Sequence, residues 1–214
     1  SQWGGMFGLV VAYARWKRRP LADVLGFRPA PARAWLGAFL IGVSAWFVVL
    51  TLTAWIAPPP KELEEQMRRM FLGENGDRPM FVTLLVVALT PAVCEEALFR
   101  GPILQALRTR LPPATAIAFT AVLFGALHLD LYRLFPTTTL GILLGYVAYA
   151  SGSIAPAMLM HGLNNGILIS LASAGQDEAA EHMSPGLRIG VFTVACGMLV
   201  AGLLLTRTRQ RNAP

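Results

Sequence analysis

The sequence predicts an all-α, polytopic transmembrane helical bundle, and three observations carry that expectation. Hydrophobic residues make up 55% of the 214 and charged residues 14%, against about 25% charged in a soluble domain. Mean hydropathy is +0.54. The charges gather between long uncharged runs and do not coat one face of each helix, which is how a chain dissolved in lipid distributes them. Disorder, collagen-like repeats and coiled coil are excluded by the same composition. Cys94 and Cys196 both lie in apolar runs, so neither a disulfide framework nor a CxxC zinc site is expected. The net charge of +6 does not form a basic stripe interleaved with aromatics, and no nucleic-acid partner is expected.

The apolar segments follow in order, a span needing about 20 mostly apolar residues. Residues 1–14 are uncharged and short. The chain begins Ser1-Gln2-Trp3, so it reads as a single transmembrane domain over residues 1–214 that is N-terminally truncated or part of a longer chain. Ala34–Ala57 is the clearest span, and Pro58-Pro59-Pro60 stops it. Pro79–Cys94 runs into Glu95-Glu96, and Leu111–Leu127 runs into His128. Leu134–Gln176 is too long for one helix, and Ser151-Gly152-Ser153 divides it. Ile189–Thr206 completes about seven spans. Lys61–Leu72 reads as a short amphipathic helix, on the membrane surface or in a solvated linker.

Alternating the connections puts twelve of the eighteen basic residues on one side: Arg15, Lys17, Arg18, Arg19, Arg28, Arg33, Arg100, Arg108, Arg110, Arg207, Arg209 and Arg211. Lys61, Arg68, Arg69, Arg78, Arg133 and Arg188 fall on the other, among the acidic Glu62, Glu64, Glu65, Asp177, Glu178 and Glu181. The positive-inside rule then places the C-terminus in the cytoplasm.

Ionisable groups inside spans are costly and mark function. Three clusters qualify: Glu95-Glu96 with Arg100, Phe124 with His128, and His161 with Asn165. At ~1.5 Å rise per residue, Glu95 lies roughly 22 Å back from Arg110, and His128 roughly 22 Å forward from Pro113. In an antiparallel hairpin the two therefore sit at one depth, with Pro102 as a possible kink. His161 and Asn165, four apart, share a helix face. Glu96 and Arg100 stand at i and i+4 with the acid first, the favourable order for a helical ion pair. A carboxylate facing an imidazole can deprotonate a water. A second imidazole with a carboxamide can donate to a developing oxyanion.

These residues resemble the CPBP intramembrane proteases, the family of CAAX prenyl endopeptidases and bacteriocin-processing enzymes. Its signature of EExxxR, FxxxH and HxxxN on successive helices is matched by Glu95, Glu96 and Arg100, by Phe124 and His128, and by His161 and Asn165. The resemblance covers a motif-bearing core of residues 79–174. It implies a parent of mostly eight transmembrane helices and a glutamate-dependent endopeptidase. In it Glu95 and His128 activate water, His161 and Asn165 form the oxyanion hole, and Glu96, Arg100 and Phe124 support them. The implied substrate is a membrane-embedded or membrane-associated protein or peptide in a lipid bilayer. Short loops and the lack of a visible eukaryotic targeting signal favour a prokaryotic cell membrane.

Other readings stand beside it. Glu95, His128 and His161 could instead hold Zn²⁺ with water in the open position, although HExxH is absent and the expectation is no metal cofactor. A proton relay in a transporter, or a non-catalytic scaffold, also accommodates an intramembrane carboxylate with histidines. His182 lies in a polar loop and reads as a solvated bystander, and Cys94 as a small buried apolar residue.

Overall fold

The computed structural model describes residues 1–56, 58, 60–73, 78–174 and 183–207. Ala57, Pro59, Gln176, Asp177, Glu178, Glu181, His182, Arg209 and Arg211, each named in the sequence reading, lie outside the described residues.

Among the described residues there are helices and no strands. The chain opens with a π-helical stretch, π1 (Trp3–Phe7), running into α1 (Gly8–Trp16). A short α2 (Leu21–Leu25) precedes the first long helix, α3 (Ala32–Ile56). The expected amphipathic helix is α4 (Lys61–Leu72), followed by α5 (Met80–Thr83), π2 (Leu84–Leu89), α6 (Thr90–Leu98), π3 (Phe99–Ile103) and α7 (Leu104–Leu107). The chain then forms α8 (Pro113–Ala126), α9 (Leu131–Ser151), α10 (Ile154–Ser173) and α11 (Pro185–Thr206).

Among the described residues five helices are long and apolar enough to cross a membrane: Ala32–Ile56, Met80–Leu107, Leu131–Ser151, Ile154–Ser173 and Pro185–Thr206. The uncharged stretch Pro79–Cys94 continues as helix through the glutamates. Glu95, Glu96 and Arg100 pair within the protein, so the helix carries them inward and continues to Leu107. The other two expected segments, π1 with α1 and the 14-residue α8, are helical but shorter. A straight 14-residue helix spans about 21 Å, less than the ~30 Å hydrocarbon core.

Local chemistry explains the boundaries. Gly152 takes φ +71°, the left-handed conformation that closes α9, and the Ser153 hydroxyl accepts the Ala155 N–H to open α10. The Ser-Gly-Ser break expected from the sequence is thus a helix stop and a helix start in three residues. Asp130 caps α9 by accepting the Tyr132 N–H at 2.8 Å and the Arg133 N–H at 3.4 Å.

Two apolar cores flank the helix that carries the glutamates. One joins α3, α7, α8, α9 and α10 through residues such as Ile41, Leu104, Leu144, Val147 and Met160. The other presses Val10, Ala14, Val24 and Leu25 of the first two helices against Ala97 and Ile154. Large apolar side chains on the outside, among them Phe39, Trp55, Leu85, Phe119 and Leu204, present a greasy surface far larger than a water-facing domain tolerates.

Candidate active site

Three neighbouring helical segments build the site, and proline chemistry shapes the first of them. Pro91 has no N–H to give the Val87 carbonyl four residues back, and Pro102 none for that of Leu98. Around these residues the hydrogen bonding shifts to the wider π pattern in π2 and π3, and the chain kinks at Gly101 (φ −70°, ψ −116°). The α6 turn between the two distortions holds Glu95 and Glu96.

Glu96 and Arg100 are both fully buried, and Arg100 Nη1 donates to Glu96 Oε1 at 2.8 Å. Arg100 Nη2 donates to the Gly141 carbonyl on α9 at 3.0 Å. Its guanidinium carbon lies 4.7 Å from the centre of the Phe124 ring on α8, a cation–π distance. Gly141 is needed for that approach. A Cβ there would stand 3.0 Å from Ala121 Cα and 3.2 Å from Phe124 Cδ1.

His161, also buried, comes from α10 and sits between the two carboxylates. Its Nδ1 lies 2.9 Å from Glu96 Oε1, and its Nε2 lies 3.9 Å from Glu95 Oε2. A carboxylate paired to Arg100 accepts and does not donate, so Nδ1 carries a hydrogen and Nε2 faces Glu95. The other oxygen of Glu95 accepts from Gln2 Nε2 at 2.8 Å.

Phe124 organises the second motif. Its ring meets His128 edge-on at 5.2 Å, His161 at 6.1 Å and Phe99 at 5.2 Å. His128 Nδ1 lies 3.0 Å from the Phe124 carbonyl. That carbonyl only accepts, so Nδ1 bears the hydrogen and Nε2 of the neutral ring has a lone pair to offer.

Asn165 is placed differently. Its Nδ2 donates to the Val87 carbonyl at 3.2 Å, the group that Pro91 leaves without its usual partner, and its Oδ1 accepts from Asn164 at 3.2 Å. The carboxamide thus ties α10 to π2. Glu95, Glu96, Arg100 and His161 form one bonded cluster with Phe124 against it. Among the described residues neither His128 nor Asn165 hydrogen-bonds to Glu95.

Two residues at the site escape the motifs. Gln2 reaches Glu95 across 93 positions of chain. Arg133, half-buried in the first turn of α9, stands within electrostatic reach of Glu95 and His128. A basic residue three places after a capping Asp at the start of an apolar helix was the available signal for Arg133, and the topology argument counted it only as a loop charge. Nothing local marks Gln2. Among the described residues no three His, Cys, Asp or Glu side chains form a group able to hold a metal ion.

Residues 77–167 match the family model described as type II CAAX prenyl endopeptidase Rce1-like. No curated protein and no solved structure matches the chain. The match spans all three motifs, from Glu95 to Asn165, and the described helices give it a lipid-compatible exterior. The chain is therefore a multi-pass membrane protein whose residues 77–167 are similar to the Rce1-like, CAAX-type protease family.

Proposed function

We propose that the chain is a glutamate-dependent intramembrane endopeptidase in which Glu95 activates the hydrolytic water without a metal. The observation that supports this best is the placement of His161 between two carboxylates, one committed to Arg100 and one left to act. Glu96 and Arg100 neutralise each other, so the charge still in play belongs to Glu95 and His161. An ionised Glu95 beside an imidazolium at His161 leaves the buried quartet neutral overall, which the low dielectric of the interior favours.

In this reading a water meets Glu95 Oε2 and His128 Nε2. Glu95 takes its proton as the water oxygen attacks the peptide carbonyl carbon. Negative charge then grows on the carbonyl oxygen, and two donors meet it: the Nε2–H of His161, and the second amide hydrogen of Asn165, the first being spent on Val87. Glu95 returns the proton to the leaving amine as the C–N bond breaks, restoring the starting charge. Glu96 accepts from Nδ1–H of His161 and so holds the ring in the orientation that aims Nε2–H at the reacting centre.

The substrate in this reading is a membrane-embedded or membrane-associated peptide, and a prenylated C-terminal peptide is the first to try, given the description of the matched family. The positive-inside count orients the C-terminus to the cytoplasm, and a prokaryotic cell membrane is the proposed location.

The test is cleavage of a quenched fluorogenic CAAX-type peptide, farnesylated or not, by the purified chain in liposomes. Turnover that persists after EDTA and phenanthroline, and is lost in Glu95→Gln, supports the proposal. Turnover that stops on chelation and returns with Zn²⁺ would favour the metal reading instead. Undiminished turnover by Glu95→Gln would remove the glutamate mechanism.

A further inference from the structure

We propose that Gln2 is a positioning residue for Glu95, an amide delivered by the first helix that holds one carboxylate oxygen so that the other is left to face His161. The inference rests on reading Glu95 as the base of the reaction.

Gln2 Nε2 donates to Glu95 Oε1 at 2.8 Å, while Glu95 Oε2 lies toward His161 Nε2. An ionised carboxylate has no hydrogen to give, so the amide must present its NH₂ side. The opposite orientation would set two oxygens against each other. The Gln2 carbonyl oxygen is itself buried and without a partner among the described residues. An amide held by its own closed network would not leave that oxygen unpaired. The bond to Glu95 is thus the polar tie that selects its orientation.

The approach of this segment to α6 is built by packing elsewhere. Trp3 Nε1 reaches the Thr90 hydroxyl at 3.3 Å at the start of α6. Val10 and Ala14 bury against Ala97, two residues past the glutamate. The helix is therefore anchored on both sides of Glu95, and Gln2 arrives from a fixed direction. A neutral donor also suits the place. It steadies the carboxylate without adding charge to a quartet already balanced among Glu95, Glu96, Arg100 and His161.

A hydrogen bond to the charged form favours that form. Losing it makes Glu95 harder to ionise and leaves its side chain less well oriented. In Gln2→Met, which keeps the side-chain length, kcat on the farnesylated fluorogenic peptide in liposomes should fall about ten- to hundredfold. The acidic limb of the rate profile should move to higher pH by about one to two units. Gln2→Glu sets a like charge against Glu95 and should move the same limb in the same direction. It also serves as the second variant if Gln2→Met folds poorly, with melting temperature in detergent as the folding check.

An acidic limb that stays in place in a folded variant overturns the proposal, whether or not kcat drops, because a merely structural role for Gln2 lowers rate without moving the ionisation. The wild-type chain and Glu95→Gln are assayed alongside. If Glu95→Gln stays active, the glutamate mechanism fails, and that result does not depend on what the Gln2 variants do.

Discussion

His161 Nδ1 and Arg100 Nη1 converge on the same oxygen, Oε1 of Glu96, at 2.9 and 2.8 Å. The first of these relationships, His161 to Glu96, joins helices 65 positions apart in the chain and couples the fold to the chemistry. Glu96 stabilises a buried guanidinium and orients an imidazole with one atom. Stability and turnover at this site are therefore predicted to separate only when a substitution spares that oxygen.

Glu96→Ala leaves the fully buried Arg100 with the Gly141 carbonyl but without its countercharge. Breaking a buried ion pair from one side costs about 3–5 kcal/mol. Thermal melting in detergent should show a large loss for Glu96→Ala. Glu96→Gln, whose amide oxygen can still accept from Arg100, should lose less. Equal melting temperatures for the two would mean that the charge on Glu96 and its oxygen matter little to folding.

Glu95→Gln should behave in the opposite way. The new side chain keeps the volume, and Gln2 can reverse its amide to stay bonded, so melting should change little. Peptide cleavage should drop by about 10²–10⁴ for loss of a general base. The comparison of melting curve and turnover on one preparation checks both halves.

Asn165 carries two jobs that a double-mutant cycle can part. Asn165→Ala should slow cleavage about 10²–10³-fold by removing an oxyanion donor and should cost about 1–3 kcal/mol by orphaning the Val87 carbonyl. Pro91→Ala supplies an N–H four residues from that carbonyl. In the Pro91→Ala background, Asn165→Ala should therefore cost less stability while the rate defect persists. A rate that recovers along with the stability would show that Asn165 acts only as a tie between α10 and π2.

Gly141 sits where α9 comes closest to α8, with the hypothetical Cβ at 3.0 Å from Ala121 Cα. Gly141→Val forces the helices apart and shifts the carbonyl that accepts from Arg100. Overpacking of this kind costs about 1–3 kcal/mol. Gly152, whose added Cβ meets nothing within 4 Å, is strained only through its positive φ. Melting curves of Gly141→Val and Gly152→Ala should both fall. Turnover per folded molecule should fall only for Gly141→Val.

Short-range pattern already set much of this protein. Composition and uncharged runs specify an all-helical membrane bundle. The Ser151-Gly152-Ser153 stop, the i,i+4 pairing of Glu96 with Arg100 and the shared face of His161 and Asn165 all depend on residues within a turn or so of one another. What tertiary structure alone decided are the pairings between distant segments. His161 lies against Glu96 across 65 residues, Asn165 against Val87 across 78, and Gln2 against Glu95 across 93. The physical reason is that helical periodicity shows which side chains share a face, while the choice of partner depends on how whole helices pack. Here that packing depends on the kink at Gly101-Pro102, the carbonyl orphaned by Pro91 and the close approach at Gly141.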